Sequence, residues 1–191
     1  MMKLLIFSFI AALILNDMPD TPDSGTPIPL NQNKPLFSFG IISDVQYCNC
    51  DPERTRFYRG SLVKLREATN AFKSDSVSFI INLGDLIDRD YKSYKPVLDI
   101  LDSSKLQVFH AAGNHDFSVD SKYKKKLPVL KQAKDGYYSF IKGNFRFIIL
   151  NGNDISLYSS DNKKSIKKAE EYLSALKAES ALNAMEWNGG F

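Results

Sequence analysis

Apolar runs alternate with helical spacings through the central part of this sequence. Short apolar runs at residues 36–43, 78–83 and 106–110 are rich in β-branched and aromatic residues, which is typical of buried strands in an α/β sheet. Between them, residues 57–72 and 95–103 carry apolar side chains every three or four positions, which predicts amphipathic helices. The order strand, helix, strand, helix, strand predicts right-handed crossovers and a largely parallel sheet.

The later part of the chain predicts a β-hairpin followed by a long helix. Apolar residues fill most of positions 137–141 and 145–150, and residues 142–144 between them (Lys-Gly-Asn) have the composition of a hairpin turn. Residues 163–184 then carry apolar side chains at helical spacing. The complete pattern predicts an α/β fold.

The amino terminus has the pattern of a targeting segment. Lys3 precedes a nearly unbroken apolar run over residues 4–15, which has the length of a signal-peptide core and falls short of the roughly 20 residues that span a membrane. We predict a signal peptide or N-terminal anchor at residues 1–16, although no clear small-x-small cleavage site follows it. An uncleaved membrane anchor over residues 3–15 and a buried first helix are the alternatives. Export predicts a secreted or periplasmic protein.

Residues 17–35 have the composition of a linker. Prolines alternate there with Asp, Ser, Thr, Gly and Asn, which leaves too little apolar surface to fold. Residues 36–191 then form one predicted domain. The chain has 191 residues, 43% of them hydrophobic, which is enough for one globular domain with its own core.

Net charge and cysteine content exclude several classes of function. The net charge of +3 is too small to indicate binding to nucleic acid or to a membrane surface. We therefore expect no nucleic-acid partner, and no specific membrane binding unless the N-terminal segment is retained. Cys48 and Cys50 are separated by one residue. We expect free thiols there, because a bond between them would close a strained ring, and two cysteines alone do not make a zinc site.

Polar clusters follow each of the three predicted parallel strands. Asp44 and Gln46 follow the first strand, Asp85 and Asp88 follow the second, and residues 113–116 (Gly-Asn-His-Asp) follow the third. Because ligand sites of open α/β sheets lie beyond the carboxyl ends of the strands, we expect these clusters to converge. Carboxylate and amide oxygens are good ligands for hard divalent metals. For Asp85 the alternative is a helix N-cap.

These three clusters resemble the motifs of the calcineurin-like metallophosphoesterases in order and spacing. The motifs are Asp-x-Gln at 44–46, Gly-Asp-x-x-Asp at 84–88 and Gly-Asn-His-Asp at 113–116. Gln46 in place of histidine, together with segments 56–62 and 188–191, resembles the branch of manganese-dependent ADP-ribose/CDP-alcohol diphosphatases. The resemblance runs from Leu36 to the end of the chain. It implies a sheet sandwich flanked by helices and hydrolysis of phosphoester or phosphoanhydride bonds in a small phosphorylated substrate, such as a nucleoside-diphosphate derivative.

The resemblance also implies roles for individual residues. Two divalent metal ions would be bound, with manganese preferred and magnesium or iron as alternatives. Asp85 would bridge the two ions, Asp44 and Gln46 would hold the first ion, and Asn114 the second. His115 would neutralise phosphate charge or protonate the leaving oxygen, and Asp88 would orient His115 through its other ring nitrogen. These last two residues are the predicted catalytic pair.

Other polar residues near the clusters have less defined roles. The alternative for His115 is a structural histidine with satisfied hydrogen bonds, and for His110 a packed position is expected. Asp116 and Arg89 could touch substrate, but the sequence assigns no substrate-binding residues. The lysine-rich segment 121–126 is expected to be a solvated helix face, with a phosphate-attracting basic lip as the alternative.

The chain departs from the family pattern in its histidines. The complete family site uses further histidines after a later strand, whereas this sequence contains two histidines in total, His110 and His115. The resemblance therefore implies the amino-terminal two-thirds of a phosphoesterase without its C-terminal half-sheet. A missing C-terminal segment or another chain would complete the site, so the chain alone is expected to show background turnover. The alternative is a catalytically inactive exported half-domain that binds a nucleotide or a protein partner.

Overall fold

The computed structural model describes residues 14–15, 36–160 and 162–178. Six strands and three α-helices lie within them, in the order β1 (Ile14–Leu15), β2 (Gly40–Ile42), α1 (Ser61–Ser74), β3 (Ile80–Asn82), α2 (Tyr94–Ser103), β4 (Val108–His110), β5 (Tyr138–Lys142), β6 (Phe145–Ile149) and α3 (Lys163–Ala178). Short 3-10 turns lie at Tyr58–Gly60, Tyr91–Ser93, His115–Phe117, Lys124–Lys126 and Pro128–Leu130.

The predicted parallel sheet is confirmed. Its strand order is β2-β3-β4, and both neighbouring pairs run parallel. All three residues of the central strand β3 are buried, which explains why the strand reads as a continuous apolar run. Each strand is shorter than its apolar run, mainly because it begins two to four residues later.

Helices α1 and α2 cover one face of this sheet. Ile42 and Ile80 from the strands pack with Leu65 of α1 and Val97 of α2 in one buried cluster. The predicted first helix was correct in place, but its first turn is the 3-10 segment Tyr58–Gly60, and the α-helix begins at Ser61.

The predicted hairpin forms part of a second, antiparallel sheet. Strands β5 and β6 pair over five residues each, and β6 also pairs with β1. Gly143 has a φ of 57° at the hairpin turn, a conformation that glycine adopts without strain. The backbone of residues 14–15 therefore lies along β6, whereas the rest of the predicted signal segment and the predicted linker lie outside the described residues. Export stays a prediction.

An aromatic cluster joins the two sheets. The side chain of Phe79, directly before β3, is fully buried and has ring contacts with Phe109 of β4 and with Phe140 and Phe147 of the hairpin, at centroid distances of 5.4–5.7 Å. Phe39 stacks on the same ring at 5.2 Å. Burial of these rings fixes β3, and with it the loop that follows β3, between helices on one side and a sheet on the other.

Two predicted helices differ in extent from the structure. Helix α3 is described as far as Ala178, and the predicted end at residue 184 lies outside the described residues. The lysine-rich segment contains a single 3-10 turn, Lys124–Lys126, without buried residues, so it is solvated as expected but is not an α-helix. Within the described residues, no helix combines the length and apolarity needed to cross a membrane.

The expectation of free thiols at Cys48 and Cys50 was wrong. The two cysteines form a disulfide, with a Cα–Cα distance of 5.2 Å. This separation lies within the usual range for disulfides, because the loop after β2 turns sharply at these residues. Cys48 is fully buried, so the bond anchors the start of the loop that runs from Gln46 towards α1.

Removal of the central ring should destabilise the sandwich. Phe79→Ala leaves a cavity between the sheets, so we expect the free energy of unfolding to fall by about 3–5 kcal/mol in chemical denaturation. Phe57→Ala is the matched control, because that ring is 68% exposed. Its effect should stay within about 0.5 kcal/mol. Similar losses in both variants would contradict the central position of Phe79.

Candidate metal centre

The loops that follow β2 and β3 are joined by backbone hydrogen bonds. The amide of Asp44 donates to the carbonyl of Gly84 at 3.2 Å, and the amide of Gln46 donates to the carbonyl of Asp85 at 2.8 Å. The pairing continues one residue further, from the Tyr47 amide to the Leu86 carbonyl at 3.2 Å. The first two predicted clusters are therefore held side by side by the main chain.

The third cluster contacts Asp85 directly. The backbone amide of His115 donates to Oδ1 of Asp85 at 2.8 Å. Asn114 precedes His115, so its side chain starts one residue from this bond. The approach is close enough that a Cβ on Gly113 would lie 2.6 Å from Cγ of Asp85, and only glycine fits there. The structure thus brings Asp44, Gln46, Asp85 and Asn114 to one edge of the sheet.

Three of these residues have strained backbones. Asp44, Gln46 and Asp85 have φ values of 54°, 42° and 56°. Seven non-glycine residues of the described chain have positive φ, so nearly half of them fall in this one cluster. Such conformations cost of order 1–3 kcal/mol each and concentrate at functional sites. The strain supports a functional role for the cluster and argues against Asp85 as a simple helix cap, since no α-helix starts directly after it.

The charge of Asp85 is poorly compensated by the protein. The residue is 4% exposed. Burial raises the pKa of its carboxyl group and the nearby Asp44 carboxylate adds to the rise, while the His115 amide and the side chain of Gln46 oppose it. A divalent cation between Asp44 and Asp85 would remove this unfavourable charge.

The donor set suits an oxygen-preferring metal. Two carboxylates and two amides offer hard oxygen ligands, which fit manganese or magnesium better than zinc. Across the residues that the structure describes, no group of three or more His, Cys, Asp or Glu side chains is arranged to hold a metal. The reason is that two of the four predicted ligands, Gln46 and Asn114, are amides.

Asp116 joins the loop after β3 to the loop after β4. It is fully buried, so it does not touch substrate as the sequence suggested. Its Oδ2 accepts hydrogen bonds from the amides of Asp85 and Gly113, both at 2.9 Å. Its Oδ1 accepts from the Leu86 amide at 3.2 Å and the Tyr94 hydroxyl at 2.9 Å. Burial raises the pKa of this carboxyl group to about 7.

His115 faces Asp88, as the predicted catalytic pair requires. Its Nδ1 lies 3.3 Å from Oδ1 of Asp88 and 3.3 Å from the Asp88 carbonyl oxygen. The Asp88 side chain is 3% exposed, and the side chains of two arginines, Arg56 and Arg89, contact it. Arg89 therefore pairs with Asp88, although 48% of its side chain is exposed to solvent.

His110 is a packed histidine behind the site. It is 9% exposed, and Nδ2 of Asn82 lies 3.3 Å from its Nδ1. The other end of the Asn82 amide accepts a hydrogen bond from the Gly84 amide at 3.3 Å. Tyr138 of β5 donates to the His110 carbonyl at 2.8 Å. Burial lowers the pKa of His110 to about 4, so the ring is neutral at pH 7.

A cleft of about 220 Å³ opens beside the cluster. Asp44 and Gln46 line it together with Arg56, Tyr58 and Lys64. The Asp44 carboxylate and the Gln46 amide, two of the predicted metal ligands, thus share one accessible space with cationic side chains. This arrangement suits a ligand that carries phosphate groups and is bound partly through a metal.

A comparison of the sequence with protein-family models agrees with the motifs. The sequence model described as calcineurin-like phosphoesterase matches residues 37–184. The chain belongs to the calcineurin-like phosphoesterase family. The three strand-end clusters of this phosphoesterase chain all lie within the matched region.

Several known proteins are similar to parts of this phosphoesterase chain. A manganese-dependent ADP-ribose/CDP-alcohol diphosphatase from Mus musculus is 30% identical over 207 residues, covering 85% of this chain and 60% of the relative. The protein of that name from Arabidopsis thaliana is 32% identical over 139 residues, covering 64% and 44%. The crystal structure of a dimetal phosphatase from Danio rerio superposes with a TM-score of 0.62 and 28% identity, covering 76% of this chain and 52% of that one. The chain thus spans about half of the length of these relatives.

The hydroxyl of Tyr94 should contribute to the stability of the phosphoesterase fold through Asp116. Tyr94→Phe removes a buried donor to a carboxylate, so we expect the free energy of unfolding to fall by about 1–2 kcal/mol. Tyr91→Phe is the matched control, since its hydroxyl bonds the Lys126 carbonyl at an exposed position. Denaturant titration of both variants measures the difference, and equal effects would show that the Asp116 contact adds nothing.

Protonation of His110 should destabilise the fold in mild acid. Its pKa is about 4 in the folded chain and near 6.5 when unfolded, so the unfolded state takes up the proton first. The neutral His110 ring therefore contributes fully to the free energy of unfolding above pH 6.5. This contribution is lost between pH 6.5 and 4, with about 2 kcal/mol lost by pH 5. Asp116 has the opposite effect on the free energy of unfolding, because burial raises its pKa to about 7 and its folded form takes up the proton first.

Comparison with a variant isolates this histidine. His110→Gln keeps Asp116, so the difference in unfolding free energy between the parent and the variant should shrink by about 2 kcal/mol from pH 7.5 to pH 5. Chemical denaturation at the two pH values measures it. A difference that does not change with pH would show that His110 is already accessible to protons in the folded chain.

Proposed function

We propose that this chain is the site-bearing part of a metal-dependent phosphoesterase that hydrolyses a phosphoanhydride or phosphoester bond of a nucleoside-diphosphate derivative, of the ADP-ribose/CDP-alcohol type. The observation that carries the proposal is the buried Asp85 carboxylate, which lies against Asp44 and Gln46 on one side and the Asn114–His115 turn on the other. The names of the relatives agree with this substrate class.

Asp44, Gln46, Asp85 and Asn114 would hold two divalent ions, with manganese preferred. When bound, these ions supply an activated water and stabilise charge on the attacking and leaving oxygens. The protein holds the ligand side chains in position. Backbone bonds from Asp44 and Gln46 to the next loop keep their side chains beside Asp85 whether or not metal is present.

His115 would act on the leaving oxygen. Its Nδ1 faces Asp88, so Nε2 is the ring nitrogen that remains to meet a substrate. The side chain is 24% exposed, which leaves it accessible from the site. A proton held at Nε2 can be donated to the leaving oxygen, and Asp88 keeps the ring in the orientation that this transfer needs.

The cleft supports a substrate with phosphate groups and a flat ring. Arg56 and Lys64 line the same cleft as Asp44 and offer positive charge there. Phe57 lines the same cleft with 68% of its surface exposed, so its ring is available for a flat group to stack on. Cations near the metal ligands and an aromatic ring match a nucleotide diphosphate better than a small phosphomonoester.

We also propose an extracytoplasmic location, secreted or periplasmic. The signal-like pattern of residues 1–16 supports it. The Cys48–Cys50 disulfide supports it independently, because such bonds persist in oxidising compartments and are rare in the cytosol.

Metal binding is the first test of the proposal. We expect Mn²⁺ to bind the 191-residue chain, and Asp85→Asn to weaken binding by at least about tenfold, because the variant loses the charge shared between the ions. Titration of Mn²⁺ followed by electron paramagnetic resonance measures both affinities. Asp99→Asn, an exposed carboxylate paired with Lys95, should bind like the parent. Equal affinity of the parent and Asp85→Asn would overturn the proposed site.

Turnover separates the enzyme from a binding module. The predicted ligands comprise two carboxylates and two amides, and among the described residues no group of three or more His, Cys, Asp or Glu side chains could hold a metal ion. We therefore expect the chain alone to hydrolyse ADP-ribose and CDP-choline with Mn²⁺ only at background rate, while still binding them. Rapid turnover that is abolished by Asp85→Asn would show instead that these four ligands suffice for catalysis. If a longer chain that supplies further metal ligands also binds these compounds without turnover, the result would favour a nucleotide-binding module.

A further inference from the structure

Asp88 is a buried carboxylate whose two oxygens have different partners. Nε of Arg89 donates to Oδ2 at 2.7 Å. Oδ1 lies 3.3 Å from Nδ1 of His115 and 3.5 Å from Nη1 of Arg56. One oxygen thus accepts a short hydrogen bond from Arg89, while the other is shared between His115 and the loosely held Arg56.

The two arginines are held to different degrees. Arg89 has further contacts, because its Nη2 lies 3.4 Å from the Tyr58 hydroxyl and 3.8 Å from Glu53, and its guanidinium carbon lies 5.5 Å from the centre of the Tyr58 ring. The hydrogen bond to Asp88 raises the pKa of Arg89 further. Arg56 reaches Asp88 through one long contact, and it lines the cleft.

Charge compensation explains why both arginines are present. A buried carboxylate left without a partner is strongly destabilising, so Asp88 needs at least one fixed cation. Arg89 is held by Tyr58 and Glu53 in addition to Asp88. Arg56 can then turn towards an anion in the cleft without leaving Asp88 uncompensated.

We propose that Arg89 is a positioning residue, the fixed counter-ion of Asp88 that holds Oδ1 towards His115 and frees Arg56 to bind a phosphate group in the cleft. The part concerning the phosphate rests on the function proposed above, whereas the part concerning His115 does not. Neither part assigns Arg89 a contact with substrate.

The histidine content of the chain makes the first part measurable. Only His110 and His115 are present, so a sample with labelled histidine gives two sets of ring signals in NMR, and His110→Gln assigns them. In the metal-free chain at constant pH, Arg89→Met should shift and broaden the His115 signals, because Asp88 is no longer held with Oδ1 towards the ring. The His110 signals should stay in place.

A matched control separates this effect from general loss of an arginine. Arg59 is exposed to a similar extent, 53% against 48% for Arg89, and it also pairs with an aspartate, Asp51. Arg59→Met should leave both histidines unchanged. If Arg89→Met moves the His115 signals no further than Arg59→Met does, the positioning role is overturned.

The second part is tested with inorganic phosphate as the probe. In Arg89→Met, Arg56 becomes the remaining cation on Asp88 and is less available, so phosphate affinity should fall about tenfold, as for loss of one charged hydrogen bond. Arg59→Met should not change it. If Arg89→Met shifts the His115 signals but leaves the phosphate affinity unchanged, the proposal that Arg89 frees Arg56 is overturned. Failure of the hydrolase assays alone would leave the His115 result standing.

A conservative variant covers the case in which Arg89→Met does not fold. Arg89→Lys keeps the positive charge that Asp88 needs, but an ammonium group cannot reproduce the fork that reaches both Asp88 and Tyr58. It should therefore fold, as circular dichroism would show, and should move the His115 signals by an intermediate amount. Unchanged His115 signals in this variant would also overturn the positioning role.

Discussion

A single buried carboxylate determines how the site is assembled. Asp116 lies in the loop after β4, yet three of its four hydrogen-bond donors belong to other parts of the chain: the amides of Asp85 and Leu86 after β3, and the hydroxyl of Tyr94 at the start of α2. Backbone amides must be satisfied when they are buried, and a turn with positive φ offers them few partners of its own. Asp116 satisfies them, and so the strained turn at Asp85 is stable only when the two loops lie together.

The sandwich explains how the protein tolerates this strain. Asp44, Gln46 and Asp85 have unfavourable backbones, and Asp85 and Asp116 are buried acids whose pKa values are raised by burial. Opposing these costs, the fully buried ring of Phe79, directly before β3, packs against the second sheet. The strand that leads into the strained turn at Asp85 is thus buried along its whole length, so the cost at the site is offset a few residues away.

The local parts of this architecture could be read from the sequence, and the non-local parts could not. Strands, helices and the hairpin follow from periodicity, and the convergence of Asp44, Asp85 and Asn114 follows from parallel strands ending at one edge. The role of Asp116 depends on partners about 30 residues away, so composition gave no sign of it. The disulfide was missed for a related reason: whether Cys48 and Cys50 approach depends on the path of the loop, which spacing alone does not determine.

The distribution of charge around the cluster explains why negative and positive groups are both concentrated there. Asp44 and Asp85 repel each other in a partly buried space, which favours a cation between them. Arg56 and Lys64 line the same cleft as Asp44, so positive side chains share this space with the carboxylate. A ligand that contacts both a metal at Asp44 and these two cations needs several anionic oxygens. A substrate with adjacent phosphate groups meets that condition, whereas an uncharged ester does not.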